Sequence, residues 1–470
     1  MLHKPLTENR PPDTLGLEEG EMRRLGHLMV DLVVDHLAGR AGDVAISVAN
    51  RQALEAKIGG PLPEHPGNAE WALRTLHDEV LPHMQHGDHP RYFARVPGPS
   101  SFAGILGDWL ATGFNAIASS WVGGSGPATV ELVVLDWLRQ MLRLPEGTEG
   151  VIVSGGSLAN FTAFAAAVAE KGRGIVYLND QAHGSLKRNL TSIGIRPEDI
   201  RLLPTTAAQV FDMDQLAAAI AEDRAAGRRP VMVIANAGTT NTGASDPLHA
   251  VADLCREQGL WMHVDGAYGA PAAFTEKGRA HLAGMERADS LVLDPHKWLF
   301  QPYDCGCVFV RQQGALERAF AMYPEYLKDV MGREEEVDLF NRSLELTRRG
   351  RALKLWMTFK TYGTRRIIEA IDRGITLAEQ AQAFIESNPA WELVTPAQIG
   401  MVTFALRGAN GQRHASMVAR ITEAGFATLT STTIGGRSVL RLCTLNPLTT
   451  TRDIEDTLKR LLQLGRLCKD

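Results

Sequence analysis

Two charged residues, each placed directly after a short apolar run, carry the strongest chemical signal in this chain. Leu260-Trp-Met-His-Val264 leads into Asp265, and Ser290-Leu-Val-Leu293 leads into Asp294-Pro-His-Lys297. A lysine in a desolvated pocket has a lowered pKa and attacks a carbonyl to form a Schiff base. An aspartate facing a pyridine nitrogen keeps that nitrogen protonated, so the ring accepts the electron pair left when a bond to Cα breaks. Pyridoxal phosphate is the cofactor that needs both residues. Its phosphate needs a cradle. Ser154-Gly-Gly-Ser157 opens an apolar helix at Leu158, and free N–H groups at a helix start, with glycines allowing close approach, bind anions. His183, ending Asp180-Gln-Ala-His183, offers an imidazole to stack on a flat ring, and Asn236-Ala-Gly-Thr-Thr240 offers hydroxyls. Singly, each has a plainer reading: a loop lysine, a capping aspartate, a structural histidine, a turn. Convergence decides, because five successive strand ends supply five different parts of one cofactor site.

The elements behind these residues follow from the apolar pattern. Gly150 to Ser154, Gly174 to Leu178, Pro230 to Ala235, Leu260 to Val264 and Ser290 to Leu293 are short buried strands ending at or just before Gly, Asn or Asp. Helical stretches such as Asp214 to Ala226 and Pro247 to Gln258 lie between them. The alternation predicts an α/β fold, a mostly parallel sheet with helices on both faces, and ligands beyond the strands' carboxyl ends. Met22, Leu25, Leu28, Met29, Leu32, Val33 and Leu37 form one apolar stripe on a helix from about Leu17 to Arg40. The stripe packs on its own chain or around a second subunit. The pattern changes after Tyr362-Gly363. A helix to about Ser387, strands near 391–396 and 401–407, a helix at 414–424 and strands near 427–431 and 439–444 follow. A last helix starts at Thr451, capped by Thr450 and Asp453. The expected division is a helical arm over 1–85, a large cofactor-binding domain over 86–353 and a small α+β domain over 354–470.

Composition narrows the classes. The chain has 470 residues, 44% hydrophobic and 22% charged, with net charge −5. That leaves no basic stripe for a nucleic acid. The most apolar stretch, Ala103 to Trp121, is broken by Asp108 and Asn115, which argues against a membrane span. Met1 to Arg10 lacks the apolar core of a signal peptide, so a cytoplasmic protein is expected. Cys255, Cys305, Cys307, Cys443 and Cys468 have no CxxC spacing, so neither a metal nor a disulfide framework is implied. They read as core residues.

The words Asp294-Pro-His-Lys-Trp-Leu299, His263-Val-Asp-Gly-Ala-Tyr268, Asp180-Gln-Ala-His183, Ser154-Gly-Gly-Ser157 and Asn236-Ala-Gly-Thr-Thr240 strongly resemble those of the pyridoxal-phosphate-dependent group II amino-acid decarboxylases. The similarity runs from about residue 20 to 465 and includes His89-Pro-Arg-Tyr-Phe93, Leu135-Asp-Trp-Leu138 and Arg348-Arg-Gly-Arg-Ala-Leu-Lys-Leu-Trp356. The resemblance implies an aspartate-aminotransferase-like fold (fold type I) with an N-terminal arm and a small C-terminal domain. It also implies a homodimer with active sites at the subunit interface. Lys297 would bond the cofactor, Asp265 pair with its nitrogen and His183 stack on its ring. Thr240 and Ala267 would lie near the cofactor, and Gly156, Ser157 and His296 around its phosphate. Asp294 stands where the family often has Asn, and a carboxylate beside a phosphate is unfavourable unless protonated or turned away. Leu158 replaces a common Glu.

The implied reaction is decarboxylation of an L-amino acid to the amine and carbon dioxide. In the family a loop tyrosine protonates Cα. Counting back from the Arg348 word places that position at Leu339 or Phe340, whereas Tyr326 falls in a segment resembling a separate family region. Relatives that make aldehydes can carry Phe at the loop position, so an aldehyde synthase is the alternative and an aminotransferase a weaker one. A shifted loop alignment, with Phe340 packed against the protein, is the plain reading, and a non-catalytic scaffold the reading from another class. The segments matching the family's aromatic side-chain pocket hold Arg95, Val96, Ile117 and Ser119. Lost stacking rings, worth about 0.5–1.5 kcal/mol per pair, weaken an aromatic preference. Aromatic substrates stay first, with aliphatic and acidic ones behind.

Overall fold

The computed structural model describes residues 15–96, 98–323, 325, 333 and 336–467. The chain forms two compact units, Met1–His86 and Gly87–Asp470. The first holds the helix Glu19–Gly39 and shorter helices Arg51–Ile58 and Ala69–Thr75, each starting behind an Asn whose side chain accepts a helix N–H in the latter two. None of these three helices has a buried residue. Leu25, Leu28, Leu32, Val33 and Leu37 of the expected stripe are half-buried, whereas Met22 and Met29 stay exposed.

The second unit contains two sheets. β1 (Glu149–Val153), β2 (Ile175–Asn179), β3 (Ile200–Leu203), β4 (Pro230–Asn236), β5 (Trp261–Asp265), β6 (Ser290–Leu293) and β7 (Gly306–Val310) are ordered β1-β7-β6-β5-β4-β2-β3. β3, β2, β4, β5 and β6 pair in parallel, and β7 runs antiparallel between β6 and β1. β1 to β6 therefore all point one way. Their near-continuous burial matches the apolar runs, since a sheet covered on both faces needs no alternation. Each fully buried Val or Leu there contributes about 1.5–3 kcal/mol. Beyond the expected strands the structure adds β3, and β7 falls where Cys305-Gly-Cys307 reads as a strand. Ile200-Arg-Leu-Leu203 is a half-buried edge strand, and β7 carries Cys307. Cys255, Cys305, Cys307 and Cys443 are buried, and Cys468 lies outside the described residues.

A buried ion pair locks β1 in place. Arg348 and Glu131 are both fully buried and meet at 2.5 Å. Arg348 also donates to the carbonyls of Ile152 and Ala118, and Glu131 accepts the Ile152 N–H at 2.9 Å. The helix Ala352–Ser387 is interrupted by Gly363 at φ 69°, ψ 162°, where a glycine tolerates what other residues do not. Beyond it β8 (Trp391–Gln398), β9 (Met401–Leu406), β10 (Thr430–Ile434) and β11 (Arg437–Cys443) form an antiparallel sheet in the order β10-β11-β9-β8. β10 starts later than the apolar run at 427–429 suggests, because Thr428 pairs with Arg91 and Phe93 instead. The helix Thr451–Leu467 opens on a reciprocal cap: Asp453 Oδ2 accepts the Thr450 N–H at 2.9 Å, and Thr450 Oγ1 accepts the Asp453 N–H at 3.2 Å. Among the described residues no helix is long and apolar enough to cross a membrane.

Candidate active site

The carboxyl ends of β1, β2, β4, β5 and β6 open into one cavity of ≈ 290 Å³. Gly156, Ser157, His183, Thr240, Asp265, Ala267, Asp294, His296 and Lys297 all line it. The five strand ends singled out in the sequence thus meet in space. Arg95, Val96, Ile117, Ser119 and Phe340 are not among its lining residues. Arg95 and Ile117 are exposed, and Val96 packs against the core. Ser119 is buried with its Oγ accepting the Arg348 N–H at 2.8 Å. Phe340, 4% exposed, lies in a 3-10 turn over Leu339–Arg342 whose Phe340 N–H donates to Ser119 O. Tyr326 lies outside the described residues.

At one end of the cavity the helix Gly156–Lys171 begins directly after β1. Its first N–H groups have no intrahelical acceptor. The space is tight: a Cβ on Gly155 would lie 2.9 Å from His296 Cε1, and one on Gly156 2.7 Å from Asp294 Oδ2. Only glycine lets the backbone lie this close. β7 presses on the same turn, because a Cβ on Gly306 would fall 2.5 Å from Gly155 Cα.

Lys297 Nζ sits 2.8 Å from Asp294 Oδ2. Burial by itself depresses the lysine, but the Asp294 carboxylate, with the Asp265 charge behind it, outweighs burial and holds Lys297 above the ordinary lysine range. The lowered pKa expected from a desolvated pocket does not hold for this arrangement. The carboxylate responsible is the residue that replaces the family's Asn. Asp294 is not turned away: it is 1% exposed, its Oδ2 faces Gly156, and its Oδ1 accepts no hydrogen bond among the described residues.

Asp265 ends β5 on the cavity wall, its Oδ1 accepting the Ala267 N–H at 3.1 Å. Burial raises its carboxyl above the usual range, against the pull of Lys297. His183 caps the helix Gly184–Ser192: its Nδ1 accepts the Ser185 N–H at 3.3 Å and meets Ser185 Oγ at 2.7 Å. A ring nitrogen that accepts a backbone N–H carries no proton, so the neutral His183 ring is protonated at Nε2. Thr240 lies within a turn in which the Thr239 and Thr242 hydroxyls bond at 2.8 Å.

Three supporting residues were not picked out from the sequence. Asp246, fully buried, accepts from Asn179 Nδ2, from the Phe211 N–H, and from the Asn236 N–H and Nδ2, joining the ends of β2 and β4. Burial pushes its carboxyl up to about 6. Asn160 Oδ1 accepts from His263 Nε2 at 2.7 Å, and Ser185 holds His183. Asn160 carried a signal, a lone amide on an otherwise apolar helix. Asp246 carried none, because an Asp-Pro before a helix reads as a surface turn.

The residues present fit pyridoxal phosphate: a buried lysine, an aspartate at a strand end, a histidine at the wall, and a glycine cradle that a Cβ would fill. The fold and this cavity together define a fold type I pyridoxal-phosphate enzyme. Residues 52–407 match the pyridoxal-dependent decarboxylase conserved domain. The chain is 41% identical over 466 residues to the aromatic-L-amino-acid decarboxylase of Bacillus atrophaeus, covering 96% of this chain and 97% of that protein. It is 30% identical to the phenylacetaldehyde synthase of Arabidopsis thaliana, covering 94% and 95%. Its fold is similar to that of Oryza sativa TDC solved with PLP and tryptamine, at TM-score 0.91 and 29% identity, covering 98% of this chain and 99% of that one. The chain belongs to the pyridoxal-dependent decarboxylase family and is a pyridoxal-phosphate-dependent amino-acid decarboxylase.

Proposed function

We propose that this enzyme decarboxylates aromatic L-amino acids, releasing the aryl-alkyl amine and carbon dioxide, and works as a homodimer. The observation that carries the reading is the cavity in which Lys297 and Asp265 stand among the five strand ends. The aromatic preference is supported by the relative at 41% identity. Each residue then has one task. Lys297 would hold the cofactor through its aldehyde, Asp265 would keep a proton at the pyridine nitrogen, and His183 would stack on the ring. The N–H groups of Gly156 and Ser157 would bind the phosphate, with His296 Nε2 beside them. When bound, pyridoxal phosphate supplies the electron sink for the pair left at Cα as carbon dioxide departs.

The division into arm, cofactor-binding domain and small domain belongs to the same reading, with the arm closing on the second copy. Unburied helices in Met1–His86 support this, as do exposed Phe114, Val122 and Leu344 in the second unit. Arg95, Val96 and Ile117 would face the substrate side chain only where the two copies meet, whereas Ser119 is held inside its own chain by Arg348.

Lys297→Ala is expected to lose both turnover and the yellow absorbance of the loaded protein; retained turnover overturns the assignment. A product assay across the common L-amino acids, following amine, carbon dioxide, aldehyde and peroxide together, tests the substrate and the reaction. Amine and carbon dioxide in equal amounts from aromatic substrates are expected. The aldehyde alternative rested on Phe340, whose burial in the Leu339–Arg342 turn supports a packing role instead. Cα then receives its proton from another residue. Exchanging Tyr326 for Phe is the direct check, with aldehyde and peroxide replacing amine if that phenol is the donor.

A further inference from the structure

Asp294 is the residue of the cavity that sits least comfortably with an anionic cofactor. Both of its oxygens are walled in: Oδ2 faces the position a Cβ on Gly156 would take, at 2.7 Å, and Oδ1 that of Gly306, at 2.9 Å. Its counter-charge is Lys297, at 2.8 Å. The neighbouring His296 Nε2 is 3.5 Å away, too far for a good hydrogen bond. The other titratable groups whose fields reach this corner are Asp265 on β5, Tyr303 before β7, and Cys305 and Cys307 at β7. The cations nearest this corner, Lys354 and Arg351, act on His296 and Cys305 but are engaged elsewhere: Lys354 Nζ with the carbonyls of Pro302 and Asp304 and with Asp108, and Arg351 with Asp304 and Glu345.

Loading the cofactor removes the compensation. When Lys297 bonds the aldehyde carbon, the aldehyde oxygen leaves as water with two of the ammonium's three protons. The single proton left on the nitrogen is shared with the cofactor's adjacent 3-oxygen. A phosphate with about −1.5 to −2 charge enters the cradle at Gly156, which Asp294 borders. A buried carboxylate with one unbonded oxygen would then stand beside a dianion, and charges buried without a partner neutralise instead.

His296 cannot supply the missing charge. Its Nδ1 accepts the Cys305 N–H at 3.0 Å, so a second ring proton would break that bond. Burial also lowers its pKa. The carboxyl is the remaining place for a proton, and it would then donate a hydrogen bond where the family's Asn offers an amide.

We propose that binding pyridoxal phosphate makes Asp294 take up a proton from solvent, so that this enzyme holds its cofactor less tightly as pH rises. The inference rests on the assignment of the Gly156 turn as the phosphate cradle, and it makes Asp294 a positioning residue whose protonation state gates cofactor retention.

The test is calorimetric titration of the apoprotein with pyridoxal phosphate, in pairs of buffers of different ionisation enthalpy. Wild type is expected to take up about one proton more than Asp294→Asn above neutral pH, where the phosphate stays dianionic. It should also lose up to about tenfold more affinity per pH unit than the variant. Because Lys297 of the variant loses the carboxylate that keeps it charged, its own uptake on bonding an aldehyde is measured with pyridoxal and subtracted; equal uptake in the two proteins after that correction overturns the proposal. Should the variant fail to fold, wild type alone decides, by comparing the cofactor with pyridoxal, which has the aldehyde but no phosphate. Proton uptake must be clearly smaller with pyridoxal, and equal uptake overturns the proposal. Visible absorbance separates the two levels of failure. Cofactor bound at Lys297 without extra proton uptake removes only this inference, whereas no bound cofactor removes the site assignment with it.

Discussion

Lys297 and His263 show how the same burial leads to opposite charge states. Lys297 has a carboxylate within 2.8 Å and stays charged. His263, on β5, has neutral partners, Ser290 Oγ at 2.8 Å and Asn160 Oδ1 at 2.7 Å. Burial drives its pKa down to about 3. The unfolded ring titrates near 6.5, so between those values the unfolded chain binds a proton that the folded chain refuses. Stability therefore falls as pH drops below about 6.5, by about 1.4 kcal/mol per unit from this ring. Urea midpoints of wild type should decline across that window more steeply than those of His263→Asn. Parallel declines would assign the acid sensitivity elsewhere.

At the level of elements, β7 decides whether the cradle exists. It places Gly306 against Gly155 with no room for a side chain. Gly306→Ala should therefore push β7 from the Ser154-Gly155 turn, costing about 1–3 kcal/mol of stability by overpacking and weakening cofactor retention. Denaturant unfolding and absorbance titration read the two effects separately. β7 also marks the limit of what the sequence discloses. The five cavity-forming strands are legible because each is apolar and ends in a chemically distinct residue, such as Asp265 or Asp294. β3 has no such ending, and although Cys305-Gly-Cys307 reads as a strand, the antiparallel insertion of β7 between β1 and β6 depends on long-range pairing that no local pattern encodes. Side-chain partners are hidden for the same reason. Nothing near Asp246 announces Asn179 and Asn236, and nothing near Phe340 announces the turn that buries it.

For the whole molecule, the arm offers the most direct check on assembly. Met22, Met29, Val30 and Val34 remain 38–53% exposed on the helix Glu19–Gly39. If that face meets a second copy, charges placed there must weaken the dimer. Sedimentation of Val30→Asp with Val34→Asp should show a shift from two chains toward one, while an unchanged mass would remove the arm from the interface. The position of β7 has a further consequence for how the enzyme is made. β1 at Glu149–Val153 meets its one strand neighbour among the described residues at Gly306–Val310, a closure across much of the chain, and such non-local pairings form slowly. A nascent chain emerging from the ribosome has synthesised the whole β1 turn long before β7 exists. If the cradle is the cofactor's phosphate site, cofactor capture would be reserved for chains that have completed the sheet, and a chain stopped before Gly306 would gain no stability from the vitamin.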